Sequence, residues 1–293
     1  MSAQLQPAAE ASIALGVPAE EYHRRELGVA TSGVLRMLRD RTPAHYRAWV
    51  DAQDDHETPA LLFGRAYHCR VLEPEVFAAT YTVEPERAPR KPSRAQREAK
   101  KPSEETLDAI AFWNGWHEQN NGKTVLPAEA FERIEAMHTA LLQHPVAAGI
   151  MREGVSEATF RWVDDATGIH CKARADWWVE SRGFLMDLKT TDDASPAAFA
   201  RSVERYGYHI QHAHYCDAAR MCGQPVRHYL ILAQEKEPPY LPAVYHIDAA
   251  AEVRGFELRE RGLQTLQQCM QTNTWPGYAG ITELSLPPWA LKD

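Results

Sequence analysis

The sequence predicts an α/β chain, with a central mixed β-sheet, helices on both sides of it and an N-terminal helical segment. Apolar residues recur at helical spacing through most of residues 20–142, the period changes to two at Glu157, and helical and strand patterns alternate from Ser195 onward. With 293 residues, 44% hydrophobic and 25% charged, the chain can bury a full core, which excludes wholesale disorder, collagen-like repeats and coiled coil. There is no internal repeat. One domain over residues 1–293 is expected, mostly helical to residue 150 and sheet-bearing from 151.

In chain order, residues 20–50 read as helical, with Leu35, Leu38 and Tyr46 on one face and a break at Thr42-Pro43. Pro59 and Gly64 bracket a short apolar segment before a second helical run, Arg65 to Phe77. Residues 87–101 hold Arg87, Arg90, Lys91, Arg94, Arg97, Lys100 and Lys101 against a single acid, Glu98, with prolines at 89, 92 and 102. They read as a mobile basic loop, either a solvated linker or an arm that contacts phosphates. Helical spacing resumes at Ser103–Trp116 and at Pro127–Leu142, the latter with Phe131, Ile134, Met137 and Leu141 on one face.

Glu157–Val163 then alternates, Asp164 to Gly168 makes a turn, and Ile169–Val179 alternates again, with Ile169, Cys171, Ala173, Ala175 and Trp177 on one side and Lys172, Arg174 and Asp176 on the other. After Ser181-Arg182-Gly183, the strand Phe184–Thr190 points Phe184, Met186 and Leu188 one way and Leu185, Asp187 and Lys189 the other. Ser195-Pro196 starts a helix. A further helix after Gly207 brings Gln211 and Tyr215 to one face. A strand at His228–Ala233, another at Val244–Ile247 and a long helix over Ala249–Thr272 complete the pattern.

No apolar run reaches the roughly 18 residues that cross a bilayer, and Met1 to Glu10 lacks the order of a signal peptide, so a cytoplasmic protein is expected. Five scattered cysteines without a C-x-x-C pair argue against a disulfide framework, a zinc ribbon and an iron–sulfur cluster. The net charge of -8 speaks against nucleic acid only on average, because one groove can differ from the whole and a bound cation can offset an acidic site.

Asp176, Asp187 and Lys189 on adjacent strands put two carboxylates and an ammonium close together. Two carboxylates in one cleft repel unless a cation joins them, and hard oxygen donors suit Mg2+ or Mn2+. A lysine beside such a site can activate water or stabilise charge developing on phosphorus. The alternative is a surface ion pair worth about 0–1 kcal/mol.

Ala175-Asp176, followed eleven residues after Asp176 by Asp187-Leu188-Lys189, resembles the catalytic core of the PD-(D/E)XK nuclease superfamily, with alanine where the name has proline. More specifically, the chain resembles the nuclease domain of exonuclease VIII (RecE) and, more distantly, lambda exonuclease, over most of its length. Gly64-Arg65-Ala66-Tyr67-His68 with Leu72-Glu73-Pro74, Gln211-x-x-x-Tyr215, Glu235-Lys236-x-Pro238-Pro239-Tyr240 and Trp275-Pro276-Gly277-Tyr278 to Leu286-Pro287-x-Trp289 occur in the family's order. The resemblance implies that Asp176, Asp187, the Leu188 carbonyl and His68 hold Mg2+, or Mn2+, that Lys189 orients water, and that Gln211 and Tyr215 support the site. It also implies that Arg25 and Ser32 hold a terminal 5'-phosphate. Arg90, Lys91, Arg94 and Arg97 are candidate phosphate contacts, and Glu157 is read as structural.

On this resemblance the expected activity is a metal-dependent exodeoxyribonuclease acting 5' to 3' on double-stranded DNA with a free end and leaving 3' single strands. A single-strand annealing recombinase is the implied partner, and a homo-oligomeric ring of three or four the implied assembly. The rivals are a structure-specific or restriction-type endonuclease of the same superfamily, a catalytically silent protein that binds DNA ends, and a metal enzyme acting on small molecules.

Overall fold

The structure, a computed structural model, describes residues 11–53, 58–287 and 290. The first half carries β1 (Ser12–Ala14), α1 (Ala19–His23), β2 (Val29–Ala30), α2 (Ser32–Asp40), α3 (Pro43–Ala52), α4 (Pro59–Leu72), α5 (Pro74–Thr80), β3 (Tyr81–Val83), α6 (Arg94–Arg97), α7 (Glu104–Gln119), β4 (Thr124–Leu126), α8 (Ala128–Gln143) and α9 (Pro145–Ile150). The second half carries β5 (Val155–Val163), β6 (His170–Val179), β7 (Phe184–Thr191), α10 (Pro196–Tyr206), α11 (Tyr208–Met221), β8 (His228–Glu235), β9 (Pro242–His246) and α12 (Ala249–Thr272).

The main sheet runs β1-β5-β6-β7-β8-β9, with β2 also along β6; β2–β6 and β7–β8 are parallel and the remaining pairs antiparallel. The expected mixed sheet is therefore present, with helices on both faces. Leu35 of α2, Ile210 of α11 and Leu263 and Leu266 of α12 pack with Phe160, Trp162, Leu185 and Ile231 on one face. Tyr67 of α4 and Ile134, Met137 and Leu141 of α8 pack with Met186, Leu188 and Leu232 on the other. Both faces of β7 are thus covered, which is why Phe184 to Leu188 is apolar apart from Asp187. Each fully buried leucine here contributes roughly 1.5–3 kcal/mol relative to exposure.

Two irregularities in β6 shape the site. β6 pairs with β7 only at Trp177↔Met186, Trp178↔Leu185 and Val179↔Phe184. β5 already occupies the other edge of β6 at His170 and Cys171, so β2, paired at those two residues, lies on the β7 side. Between these two pairings β6 and β7 fork apart, starting at Asp176. Across the other edge, the β5–β6 ladder includes Ser156↔Trp177 and Ala158↔Ala175 but skips Glu157 and Asp176, and Glu157 takes the left-handed φ of 55°.

This corrects the expected alternation. Trp178, not Trp177, shares a core with Ala173 and Ala175, and Trp177 turns to the opposite one. Side chains change face at Glu157, which is left-handed, and across the ladder at Asp176, where the β5–β6 pairing skips one pair.

Other expectations change as well. Pro59 and Gly64 do not bracket a segment separate from the helix that follows: α4 is one helix, opened by Thr58, whose hydroxyl accepts the Leu61 amide at 3.2 Å, and by Pro59 in its first turn. A new helix begins at Pro74. Residues 24–31 are not helical, and the N-cap of α2 is Thr31, which accepts the Val34 amide at 3.2 Å, while Ser32 is the first helical residue.

The basic stretch is not wholly loop. It contains α6, with a capping box between Ser93 and Gln96, and is fastened to α7, where the buried Trp113 donates its indole N–H to the Pro89 carbonyl at 2.8 Å and lies 4.9 Å from the Lys91 ammonium. Trp275 packs on Tyr46, and the Pro276 carbonyl accepts the Ala44 amide at 3.1 Å. Trp289 and Met1 to Glu10 lie outside the described residues. Among the described residues no helix is long and apolar enough to cross a membrane.

Candidate active site

The site sits at the fork. With β7 peeling away after Met186, the Leu188 N–H has no β6 carbonyl opposite, and the Asp176 carboxylate accepts it through Oδ2 at 2.7 Å. Asp187, two positions from Leu185 on the strand, is 1% exposed. Its Oδ2 lies 2.5 Å from the Lys189 ammonium, and its Oδ1 accepts a hydrogen bond from the Gln211 side-chain amide of α11. Lys189 also lies 5.1 Å from the Tyr208 ring. From α4, His68 places Nδ1 3.7 Å from Asp176 Oδ2. Tyr215, one helical turn beyond Gln211, is buried.

Burial dominates the electrostatics. It pushes Asp187 up to about 6 despite Lys189, which pulls the other way, and it raises Asp176. His68 is pushed down to about 4, first by burial and then by the Lys189 charge, so its imidazole is neutral at pH 7. Burial disfavours the Lys189 cation, yet attraction to Asp187 and Asp176 outweighs it and holds the ammonium protonated. The three charged side chains sum to one net negative charge in a buried cleft.

The sequence reading thus has Asp176, Asp187, Leu188, Lys189, His68, Gln211 and Tyr215 in one place, and the structure brings them together. It does not add the phosphate candidates to that cluster. Arg25 donates to the Trp49 carbonyl at 3.0 Å with its guanidinium 4.6 Å from the Trp49 ring, and Ser32 stands half-buried at the start of α2. Lys91 pairs with Glu84, Arg94 with Glu98 at 2.8 Å, and Arg97 donates to the Pro92 carbonyl at 3.2 Å, all within their own segment; Arg90 is exposed.

Glu157, read as structural, stands beside the site. It is pushed up to about 8 by burial and then by Asp176, and Arg174 Nη1 lies 3.4 Å from its Oε2. Tyr22 of α1 was not anticipated either; its ring lies 4.5 Å from the Arg174 guanidinium. No sequence signal marks Tyr22, whereas Arg174 could have been found from its place on the Asp176 face of β6.

The donors fit a hard divalent cation. Two carboxylates whose burial is only partly offset by one lysine leave an anionic surplus, and a carbonyl and a neutral imidazole lie beside them. As the side chains stand, no three His, Cys, Asp or Glu residues among those described converge closely enough to enclose a metal. A bound cation would therefore rely on the two aspartates and the Leu188 carbonyl, with His68 beside them at 3.7 Å from Asp176.

A sheet fork with an aspartate on one arm, Asp-x-Lys on the other and an α11-type helix behind them defines a PD-(D/E)XK-like domain. A family model described as a PDDEXK-like domain of unknown function (DUF3799) matches residues 32–285, and the chain belongs to that family. Among solved structures, an exonuclease candidate from Eubacterium rectale aligns with a TM-score of 0.59 at 11% identity, covering 95% of this chain and 98% of its own, which supports the fold. A phage-related exonuclease from Haemophilus somnus 129PT aligns at 14% identity over 63% of this chain and 91% of its own, with a TM-score of 0.32. No curated protein matches the chain in sequence.

Proposed function

We propose that this chain is a metal-dependent exodeoxyribonuclease that degrades linear double-stranded DNA 5' to 3' and leaves 3' single strands for recombination by annealing. The observation that carries the reading is the convergence of Asp176, Asp187 and Lys189 at the fork, with an anionic surplus that a divalent cation would neutralise. Asp176, Asp187, the Leu188 carbonyl and His68 would hold Mg2+ or Mn2+, which supplies a Lewis acid for hydrolysis of a phosphodiester. Gln211 fixes one oxygen of Asp187, so that carboxylate enters the reaction already oriented. Lys189 keeps its proton and can orient water or donate to a phosphate oxygen as negative charge develops there. His68, neutral at pH 7, adds no charge that would repel a cation.

End recognition would rest on Arg25 and Ser32 at the start of α2, where backbone amides favour an anion. Arg90, with the neighbouring exposed cations of residues 87–101, would grip the duplex. An enzyme of net charge -8 has little bulk attraction for DNA, which favours a ring of three or four copies that holds its substrate by enclosure. Light scattering should then give three or four times 33.1 kDa.

The test is incubation with Mg2+ and four substrates: linear duplex with a 5'-phosphate, linear duplex with a 5'-hydroxyl, nicked circles and closed circles. Loss of linear DNA to mononucleotides with circles spared is expected. Cutting of closed circles would replace this reading with an endonuclease, and binding of ends without hydrolysis would replace it with a silent end-binding protein.

A further inference from the structure

Lys172 carries a charge that the hydrolytic site does not use, yet it is 4% exposed, and a lysine is rarely buried without partners. It lies on β6 with Arg174 and Asp176, alternating with the core residues Cys171, Ala173 and Ala175, so these three share the other face. Four residues of strand put Lys172 about 13 Å from Asp176 along β6. Its ammonium lies 5.5 Å from the Tyr22 ring and donates to the Arg24 carbonyl at 2.9 Å and to Glu26 Oε1 at 2.8 Å. Those two acceptors flank Arg25.

Residues 24–26 belong to no helix or strand, so no regular ladder fixes them. Side chains from other elements do. Gln53, at the end of α3, donates to the Arg25 carbonyl at 3.2 Å, and the Tyr46 hydroxyl of α3 donates to the Glu26 carbonyl at 3.4 Å and accepts the Gly28 amide at 2.9 Å. The Arg25 guanidinium lies 4.6 Å from the Trp49 ring and donates to the Trp49 carbonyl at 3.0 Å. α3 therefore fixes Arg25 in backbone and side chain, and Lys172 ties the same three residues to the strand that carries Asp176.

We propose that Lys172 is a positioning residue for end recognition: by holding the Arg24 carbonyl and the Glu26 carboxylate it sets Arg25 at a fixed place relative to Asp176, so that a 5'-phosphate gripped by Arg25 registers the DNA strand against the cleavage site. The inference rests on the reading of Arg25 as a phosphate ligand given above. Its physical basis is that a guanidinium meets a phosphate through a directional, bidentate pair of hydrogen bonds, and that a misplacement of about 1 Å far from the chemistry can cost ~10²-fold in rate. A buried ammonium with a carbonyl and a carboxylate as acceptors is a stiff fastening for an irregular segment.

The experiment is a double-mutant cycle on the full chain, read by fluorescence anisotropy in Ca2+ with blunt duplexes bearing either a 5'-phosphate or a 5'-hydroxyl. The quantity is the ratio of the two dissociation constants. Wild type should bind the phosphate end roughly tenfold tighter or more, the worth of a hydrogen bond to a charged group, and Arg25→Ala should bring the ratio to one. Lys172→Met keeps the aliphatic stem, and the Glu26 side chain, 40% exposed, can be hydrated in its absence. It should lower the ratio by roughly tenfold while Mn2+ binding, measured without DNA, stays at the wild-type level. Joined to Arg25→Ala it should lower the ratio no further, because one residue acts through the other. A general loss of stability would weaken both ends alike and leave the ratio where it was. Lys172→Gln, which keeps a donor but no charge, gives the answer if the methionine variant does not fold, and should lower the ratio by roughly threefold. An unchanged ratio in the Lys172 variants would overturn the proposal, as would losses that add to those of Arg25→Ala, which would mean that Lys172 meets the phosphate itself. If wild type does not distinguish the ends, or does so without Arg25, the end-recognition reading fails and takes this one with it; if the distinction needs Arg25 but survives in the Lys172 variants, this one fails alone.

Discussion

Metal affinity at this site should depend steeply on pH below about 6 and hardly at all above it, and Asp187 sets the scale. Its carboxyl is buried and pushed up to about 6, first by burial and against the pull of Lys189, whereas an unfolded chain would hold it near ~3.9. The difference is about two units, or about 3 kcal/mol for keeping this group ionised in the folded protein. Because the folded value is the higher one, the stabilising contribution is present below about pH 4 and is lost as pH rises through about 6. Asp176, raised by burial, acts in the same direction.

A cation that needs the ionised carboxylate must displace the proton below pH 6, so apparent affinity should fall about tenfold per pH unit there, and more steeply if both aspartates take part. Mn2+ titrations by calorimetry at pH 5, 6, 7 and 8 measure the slope, and melting of the metal-free protein over the same range measures the linked loss of stability. Asp187→Asn should abolish binding and flatten the melting profile between pH 4 and 7. Its stability at pH 7 should rise by less than the full 3 kcal/mol, because Lys189 loses its closest partner. Equal Mn2+ affinity at pH 5 and pH 7 would falsify the assignment of Asp187 as a ligand.

Three further outcomes follow from the same geometry. Asp176→Ala and Lys189→Ala should each lower initial cleavage rates by ~10²-fold or more while duplex binding in gel-shift assays persists, and a variant keeping a tenth of the wild-type rate would remove that residue from the site. In the basic segment, Lys91, Arg94 and Arg97 already have partners, whereas Arg87, Arg90, Lys100 and Lys101 are exposed and make no ion pair among the described residues, so replacing these four by alanine should lower the log–log salt slope of DNA binding by up to about four units, and replacing the first three by clearly less. At the crossing of α11 and α12, a Cβ on Gly255 would stand 2.1 Å from the His209 carbonyl oxygen, so Gly255→Ala should cost about 3 kcal/mol or more, seen as a large drop in melting temperature.

What the sequence could reveal was set by the range of each interaction. Asp187 and Lys189 share a strand, so period two alone puts their side chains together, and the Ala249–Thr272 helix is legible to the residue because Asp248 caps it and its apolar spacing is unbroken. Two- and three-residue strands such as β1 and β2 show no period and exist only because the long strands β5 and β6 offer them an edge. The basic stretch reads as loop from its composition because its contact with Trp113, on the next helix, is invisible to local sequence.

Glu157 shows the deepest limit. Nothing in an alternating strand announces a left-handed residue that is not glycine, yet Glu157 is one, across the ladder from the point where β6 changes face between Asp176 and Trp178. A left-handed glutamate costs of order 1–3 kcal/mol, and in a well-packed strand such a cost persists only when the surroundings impose it. Here Arg174, fixed by Thr159 and Val17 and stacked on Tyr22, holds the carboxylate, and the inverted pleat turns Trp177 toward α9, where its indole N–H donates to the Ile150 and Glu153 carbonyls. The strain is thus located where β6 must change face between a packed sheet and an open fork, and the fork is what leaves the Leu188 amide free for Asp176. The aspartate pair was readable because it is written along the strands; the bend that makes it a site is written in contacts from Val17 and Tyr22, more than 130 residues earlier in the chain.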